Sequence, residues 1–189
     1  MEYYVLSLNR GNRRHIYDEN KRILPELKMF KAVNGYDKQE TIAEFKKLGI
    51  EYHNLDFKTY GTLACWITKV KMLKHQIDHK IPVVCFIEDD ILLDHRWKAF
   101  TRERKLLLCD DVNIIRLCQW GEGYITSLEG AQRLMKIIKE QGVLLNIDNQ
   151  LRGMNEKYID VLPPALLMCS TNCGDCMATE KLPDDFASI

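Results

Sequence analysis

A chain of 189 residues, 46% of them hydrophobic, is long enough to bury one sizeable core, and residues 1–189 read as a single domain. Its 27 Lys plus Arg balance its 27 Asp plus Glu, and the resulting formal net charge of zero argues against a protein held to nucleic acid or acidic membrane by bulk attraction. No stretch approaches the roughly 18 to 20 uninterrupted apolar residues of a membrane span, and "MEYYVLSLNRGNRR" lacks the basic start of a signal peptide, so a soluble, cytoplasmic protein is expected.

In chain order, "EYYVLSL" reads as a buried first strand, rich in aromatic and aliphatic residues. "NRGN" turns the chain into a helix over about residues 13–24. "MFKAV" is a short second strand closed by the turn "NGYD", and "ETIAEFKKLG" is a helix stopped by Gly49. "GTLACWITKVKMLKHQI" has the clearest helical rhythm, with Leu63, Ile67, Val70, Leu73, Lys74 and Ile77 at i, i+3, i+4 spacing. "PVVCFIE" is continuously apolar, as expected of a strand covered on both faces. A helix near 96–108, a strand "VNIIRLC", a short strand "GYITS", a helix "EGAQRLMKIIKE", a helical turn "IDNQLRGMNE" and a last strand "YIDVLP" follow. Residues 170–189 read as a less regular tail. Strands alternating with helices predict an α/β domain with a mainly parallel central sheet and helices on both faces. Ligands in such sheets bind beyond the carboxyl ends of the strands.

At one such end stand Glu88, Asp89 and Asp90. Three adjacent acids form a solvated loop, a charge cluster at a helix N-terminus, or a metal site. On an extended chain, carboxylates 88 and 90 share a side and 89 faces the other. Two same-side carboxylates suit Mn²⁺ or Mg²⁺, with coordination positions left for water and phosphate oxygens.

"YVLSLNRGNRR", "GTLACWITKVKMLK", "VVCFIEDDILL", "GYITSLEGAQRLM" and "NIDNQL" occur in the order and rough spacing of glycosyltransferase family 25, which the chain resembles over about residues 3–166. That family contains lipopolysaccharide-type and collagen-type galactosyltransferases with a GT-A, Rossmann-like fold. The resemblance implies that the opening strand and turn, including Ser7, hold the nucleotide. It also implies that the acidic triplet is a version of the D-x-D motif, whose cation bridges the donor's diphosphate. Asp90 is then the expected direct metal ligand, with Glu88 assisting at the metal or the donor, and Asp89 facing the core or the donor. Asp148, in the acceptor-side segment "IDNQL", is the candidate general base, against a plain helix N-cap.

The remaining candidates each carry a bland alternative. Asn9, Arg13 and Arg14 follow the first strand, where arginine grips phosphate or merely solvates a helical turn. Gly61 and Thr62 open a helix whose N-terminus receives phosphate or sugar hydroxyls, or is simply capped. Lys69 follows Thr68 where the family usually shows Ser-His; a lysine there reaches a diphosphate, but the change puts the histidine's family role in doubt. Trp120, Gly121, Gly123 and Tyr124 offer backbone room and aromatic faces for a sugar, with Trp120 as core the alternative.

Seven cysteines is an odd number, and Cys65, Cys85, Cys109 and Cys118 fall in apolar segments that read as core, consistent with a reducing compartment. Cys169, Cys173 and Cys176 in "CSTNCGDC" have zinc-like spacing but lack a fourth ligand nearby. The expected function is metal-dependent transfer of a hexose from a nucleotide sugar, UDP-linked, to a hydroxyl of a glycan or glycoconjugate, with inversion implied by the resemblance. The alternatives are a nucleotide-sugar pyrophosphorylase, for which "NRGNRR" has too few glycines, and a non-catalytic zinc or interaction module built on the cysteine tail.

Overall fold

The computed structural model describes residues 1–53, 59–117, 123–154, 168–170 and 181–182. The expected strand "YIDVLP", Cys118, Trp120, Gly121, Cys173, Cys176 and nearly all of the tail lie outside them. The elements run β1 (Glu2–Ser7), α1 (Asn12–Ile23), β2 (Lys28–Lys31), α2 (Lys38–Leu48), α3 (Tyr60–Asp78), β3 (Val83–Glu88), β4 (Ile91–Leu93), α4 (Trp97–Arg104), β5 (Ile114–Arg116), β6 (Gly123–Ser127), α5 (Leu128–Gln141), α6 (Ile147–Gly153) and β7 (Met168–Ser170).

Five strands form the central sheet in the order β2-β1-β3-β6-β5. β1 pairs in parallel with β2 and β3, while β6 runs antiparallel to both β3 and β5. Four strands therefore share one direction and β6 is reversed. The sheet is mainly parallel as expected, with a reversal that no residue pattern within "GYITS" announces.

Successive side chains of each strand face opposite sides. Tyr4, Leu6, Val84, Phe86, Ile114 and Tyr124 join the core beneath α2, α3, α5 and α6. Tyr3, Val5, Cys85, Ile87, Ile115 and Ile125 join a second core with Leu24, Leu27, Trp97 and Phe100. Helical cover on both sides explains why β3 is apolar at nearly every position.

Local signals set the helix ends. Asp37 caps α2 by accepting from Glu40 N, and Gly49 ends it at φ 61°, a left-handed conformation glycine adopts without Cβ strain. Thr59, Ser127 and Asn146 cap α3, α5 and α6 in the same way as Asp37. α3 is the central helix. Leu63, Ile67, Val70 and Leu73 are buried as its rhythm predicts, but so are Trp66, Thr68, Lys69, Met72 and Gln76, while Lys74 is exposed. Gln76 donates to Ile81 O at 3.2 Å and Thr126 O at 3.1 Å, tying α3 to the sheet.

Other differences are local. The strand expected over 112–118 contracts to Ile114–Arg116, and Cys109 is exposed rather than core, at a turn bridged to Val112. β4 has no counterpart among the expected elements. It pairs with β7, and buried Asn20 of α1 clasps it, donating to Ile91 O at 2.6 Å and accepting from Leu93 N at 2.8 Å.

Candidate active site

The pairing registers bring the chemistry-bearing residues to one edge. Leu6 lies beside Glu88, so the carboxyl ends of β1 and β3 coincide, and the reversed β6 begins there with Gly123 opposite Ile87. α3 passes over this edge at Lys69, and α6 brings Asp148 to it. Gln150 fixes α6, accepting from Trp66 Nε1 at 3.0 Å and donating to Gly142 O at 2.7 Å. Within "IDNQL", Asp148 thus turns to the edge and Gln150 into the core. The cap of α6 is Asn146, which accepts from Asn149 N, so Asp148 is not the N-cap.

Lys69 is 1% exposed, and its ammonium stands 2.7 Å from Glu88 Oε1 and 2.6 Å from Asp148 Oδ1. Tyr124 donates its hydroxyl to the same Asp148 Oδ1 at 2.6 Å, and the Cys65 thiol reaches Glu88 Oε1 at 3.7 Å. A buried ammonium is costly unless it is paired, and here two carboxylates pair it. Burial pulls the Lys69 ammonium's pKa down, but the charges of Glu88 and Asp148 outweigh it and hold the pKa well above the ordinary lysine value. Burial likewise raises the Glu88 carboxyl despite the pull of Lys69; with 29% of its side chain exposed, Glu88 is recessed rather than sealed. Burial also pushes the Cys65 thiol and the Tyr124 hydroxyl up, so both remain protonated donors.

Three expectations change here. Lys69 does not hold out an ammonium to a diphosphate, because both carboxylates already grip it. Tyr124 cannot stack its ring on a sugar. It is 1% exposed, with Phe86 at 5.4 Å and the Lys69 ammonium at 5.3 Å from its ring. The alternation expected along Glu88-Asp89-Asp90 also ends at Glu88, because residues 89 and 90 form a turn.

Through that turn, Asp89 meets the opening loop. Its carboxylate accepts from Ser7 Oγ and from Arg13 Nη1, both at 2.6 Å, and Ser7 Oγ accepts from Asn9 N at 2.8 Å. Asn9 has φ 52° and Gly11 φ 55°, so the loop doubles back sharply before α1. Asp90 Oδ2 lies 3.7 Å from Arg13, and the charge of Asp90 contributes to the raised pKa of Glu88. Arg14 is exposed on the same helical turn. Gly61 is buried, and a Cβ on Gly35 would come within 2.7 Å of Gly61 Cα, so this glycine pair allows two backbones to touch. The Thr62 hydroxyl bonds that of Thr59 at 2.6 Å and its N–H is capped.

Sequence reasoning missed the place of Cys65. Its i, i+4 spacing from Lys69 on α3 puts both on the side facing Glu88, a signal that the helical period of "GTLACWITKVKMLK" carries by itself.

A hard divalent cation takes oxygen ligands, and Mg²⁺-type sites commonly use one or two carboxylates plus substrate phosphates. Glu88 and Asp90 are an all-oxygen pair within electrostatic reach of one another. Among the described residues, no group of three or more His, Cys, Asp or Glu could hold a metal alone. Two carboxylates are the number that such Mg²⁺-type sites commonly take from the protein, so the chemistry of Glu88 and Asp90 is compatible with a hard cation.

The sequence matches the model of glycosyltransferase family 25 (LPS biosynthesis protein) over residues 1–122. Procollagen galactosyltransferase 2 of Homo sapiens is 24% identical over 172 residues, covering 70% of this chain and 26% of that protein, so the chain spans about a quarter of this relative. A crystal structure of a glycosyltransferase involved in the glycosylation of the major capsid of PBCV-1 aligns with a TM-score of 0.36 and 9% identity, over 75% of this chain and 68% of that one. No described helix is long and apolar enough to cross a membrane.

Proposed function

The chain belongs to glycosyltransferase family 25, and we propose that it transfers a hexose from a UDP-linked sugar to a hydroxyl of a glycan or glycoconjugate, with inversion at the anomeric carbon. The observation that carries this reading is the convergence of Glu88, Lys69 and Asp148 within 2.7 Å contacts at the carboxyl edge of the sheet. The name of the human relative favours galactose as the hexose.

Asp148 keeps 27% of its side chain exposed and is the general base. The acceptor oxygen attacks the anomeric carbon from the face opposite the diphosphate, the bond to the diphosphate oxygen breaks with its electron pair, and the acceptor proton passes to Asp148. Lys69 offsets the repulsion between Glu88 and Asp148, so two carboxylates can work in one small space. Asp89, tied to Ser7 and Arg13, holds the opening loop against the end of β3.

Asp90 and Glu88 would hold Mn²⁺ or Mg²⁺, which supplies positive charge to the diphosphate as it leaves. The reaction is placed in the cytoplasm, a reading supported by free thiols at Cys65, Cys85 and Cys109 among the described residues.

Thermal melts with a panel of nucleotide sugars, with and without Mn²⁺, test the reading. A ligand at 100 times its dissociation constant stabilises the fold by about 2.7 kcal/mol. A UDP-hexose should give the largest shift, and a panel without any shift overturns the assignment.

A further inference from the structure

Tyr124 and Lys69 aim at one atom. Both donors reach Asp148 Oδ1 at 2.6 Å, and among the described residues no donor is bonded to Oδ2. The terminal torsion of an aspartate is broad and nearly two-fold, so an unrestrained Asp148 would exchange its oxygens readily. Two donors on one oxygen suppress that exchange. We infer that Tyr124 is a positioning residue that, together with Lys69, locks Asp148 so that Oδ2 is the oxygen presented to the acceptor hydroxyl. The inference rests on the reading of Asp148 as the base.

The surroundings of Tyr124 suit this task. It sits inside the sheet, opposite Phe86 of β3 and Arg116 of β5, so its backbone is held on both sides. Its ring is 1% exposed and packed on Phe86, leaving the hydroxyl little freedom. Lys69 alone is a weaker clamp, because its ammonium is shared with Glu88 at 2.7 Å. The tyrosine hydroxyl bonds Asp148 without that competition. Asp148 itself rides on α6, whose position Gln150 fixes through Trp66. Aim is therefore set from β6, α3 and α6 together, and displacing a reacting group by about 1 Å can reduce the rate by about 10²-fold.

Tyr124→Phe removes only the hydroxyl and keeps the ring packing. UDP release from UDP-galactose and UDP-glucose, with water as acceptor, supplies the assay, and calorimetry with UDP supplies donor affinity. The expected result is a fall of about 10-fold in kcat at unchanged UDP affinity, since a lost alignment acts in the transition state. Asp148→Asn should lose about 10²-fold or more. Adding Tyr124→Phe to Asp148→Asn should cost nothing further, because the hydroxyl acts through that carboxylate. A Tyr124→Phe enzyme with parent kcat overturns the clamp while Asp148→Asn still reports on the base. Equal losses from Tyr124→Phe in both backgrounds also overturn it, since the hydroxyl would then serve the fold alone. Near-parent turnover by Asp148→Asn, or a parent that releases UDP from neither sugar, removes the base reading and the clamp with it.

Discussion

Arg13 donates to Asp89 Oδ1 at 2.6 Å, joining the first turn of α1 to the turn that ends β3. Ser7, 1% exposed, donates to the other oxygen of the same carboxylate at 2.6 Å. The middle acid of the triplet thus takes two hydrogen bonds at 2.6 Å, while the contact of Asp90 with the same arginine is longer, at 3.7 Å. The two aspartates should respond differently to replacement. Asp89→Ala removes the hydrogen bonds that Arg13 and Ser7 donate to it, and should lower unfolding free energy by about 1.5 to 3 kcal/mol, the range for hydrogen bonds to charged groups. Asp90→Ala should cost clearly less. Urea unfolding of both variants measures the difference, and equal losses would show that the triplet stabilises the fold as one unit.

Lys69 poses the opposite problem, since its partners depend on it. Lys69→Met leaves Glu88 and Asp148 facing one another with no cation between them. Removing one member of a buried ion pair costs about 3 to 5 kcal/mol. Replacing Glu88 as well, in Lys69→Met/Glu88→Gln, removes one stranded charge and should recover part of that loss. Denaturant midpoints of the two proteins decide it. A double variant no more stable than Lys69→Met would mean that the lysine serves packing rather than charge.

The sequence made some of this legible and hid the rest for physical reasons. The β-forming run Tyr124, Ile125 and Thr126 marks β6 at Gly123–Ser127, and Gly49 ends α2, because those signals lie within the segments themselves. β4 is hidden because three residues behind a charged turn become a strand only through distant partners, Met168–Ser170 and the side chain of Asn20. Lys69 reads as a surface lysine by type. Yet its neighbours at i±3 and i±4, Cys65, Trp66, Met72 and Leu73, are all apolar, a pattern that puts it on a buried stripe of the helix. Tyr124 is a candidate from its place after the fourth strand, but which end of it works, ring or hydroxyl, depends on Phe86 and Asp148, residues remote in the chain.

A cation held as proposed by Glu88 and Asp90 predicts a linkage between cation and diphosphate. If Asp90 and Glu88 complete their shell with substrate phosphates, UDP should bind more tightly with Mn²⁺ than without it, and uridine should be indifferent to the cation. Asp90→Asn should abolish the gain at little change in melting temperature. Calorimetric titrations of UDP and uridine into both proteins measure this directly. Equal UDP affinity with and without Mn²⁺ in the parent would remove the cation from the site.

At the far end of α3, the structure predicts how stability changes with pH. His75 packs against Tyr4 at 5.4 Å, Phe30 at 5.5 Å and His79 at 4.1 Å between ring centroids. The Tyr4 hydroxyl gives its proton to Glu2 Oε2 at 2.7 Å, so the 3.2 Å contact with His75 Nε2 is satisfied when that nitrogen carries the hydrogen. Burial, and then the charge of His79, lower the His75 pKa below its ordinary 6.5, against the smaller pull of Glu2 and Asp78. A base whose pKa is depressed by folding contributes stability above its unfolded value and loses it as pH falls through the folded value. The loss therefore begins near pH 6.5, where the unfolded chain starts to take up the proton. Glu2 and Glu44, whose pKa values are held below 4.5 by their lysine partners, weaken the fold only in more acidic solution. Between these limits the titration of His75 is separable from theirs. His75→Gln should flatten the decline in melting temperature between about pH 7 and pH 5, read against the ordinary histidine value, while leaving the steeper fall below pH 4.5 in place. A variant that declines in parallel with the parent across that window would show that His75 carries no part of the acid sensitivity.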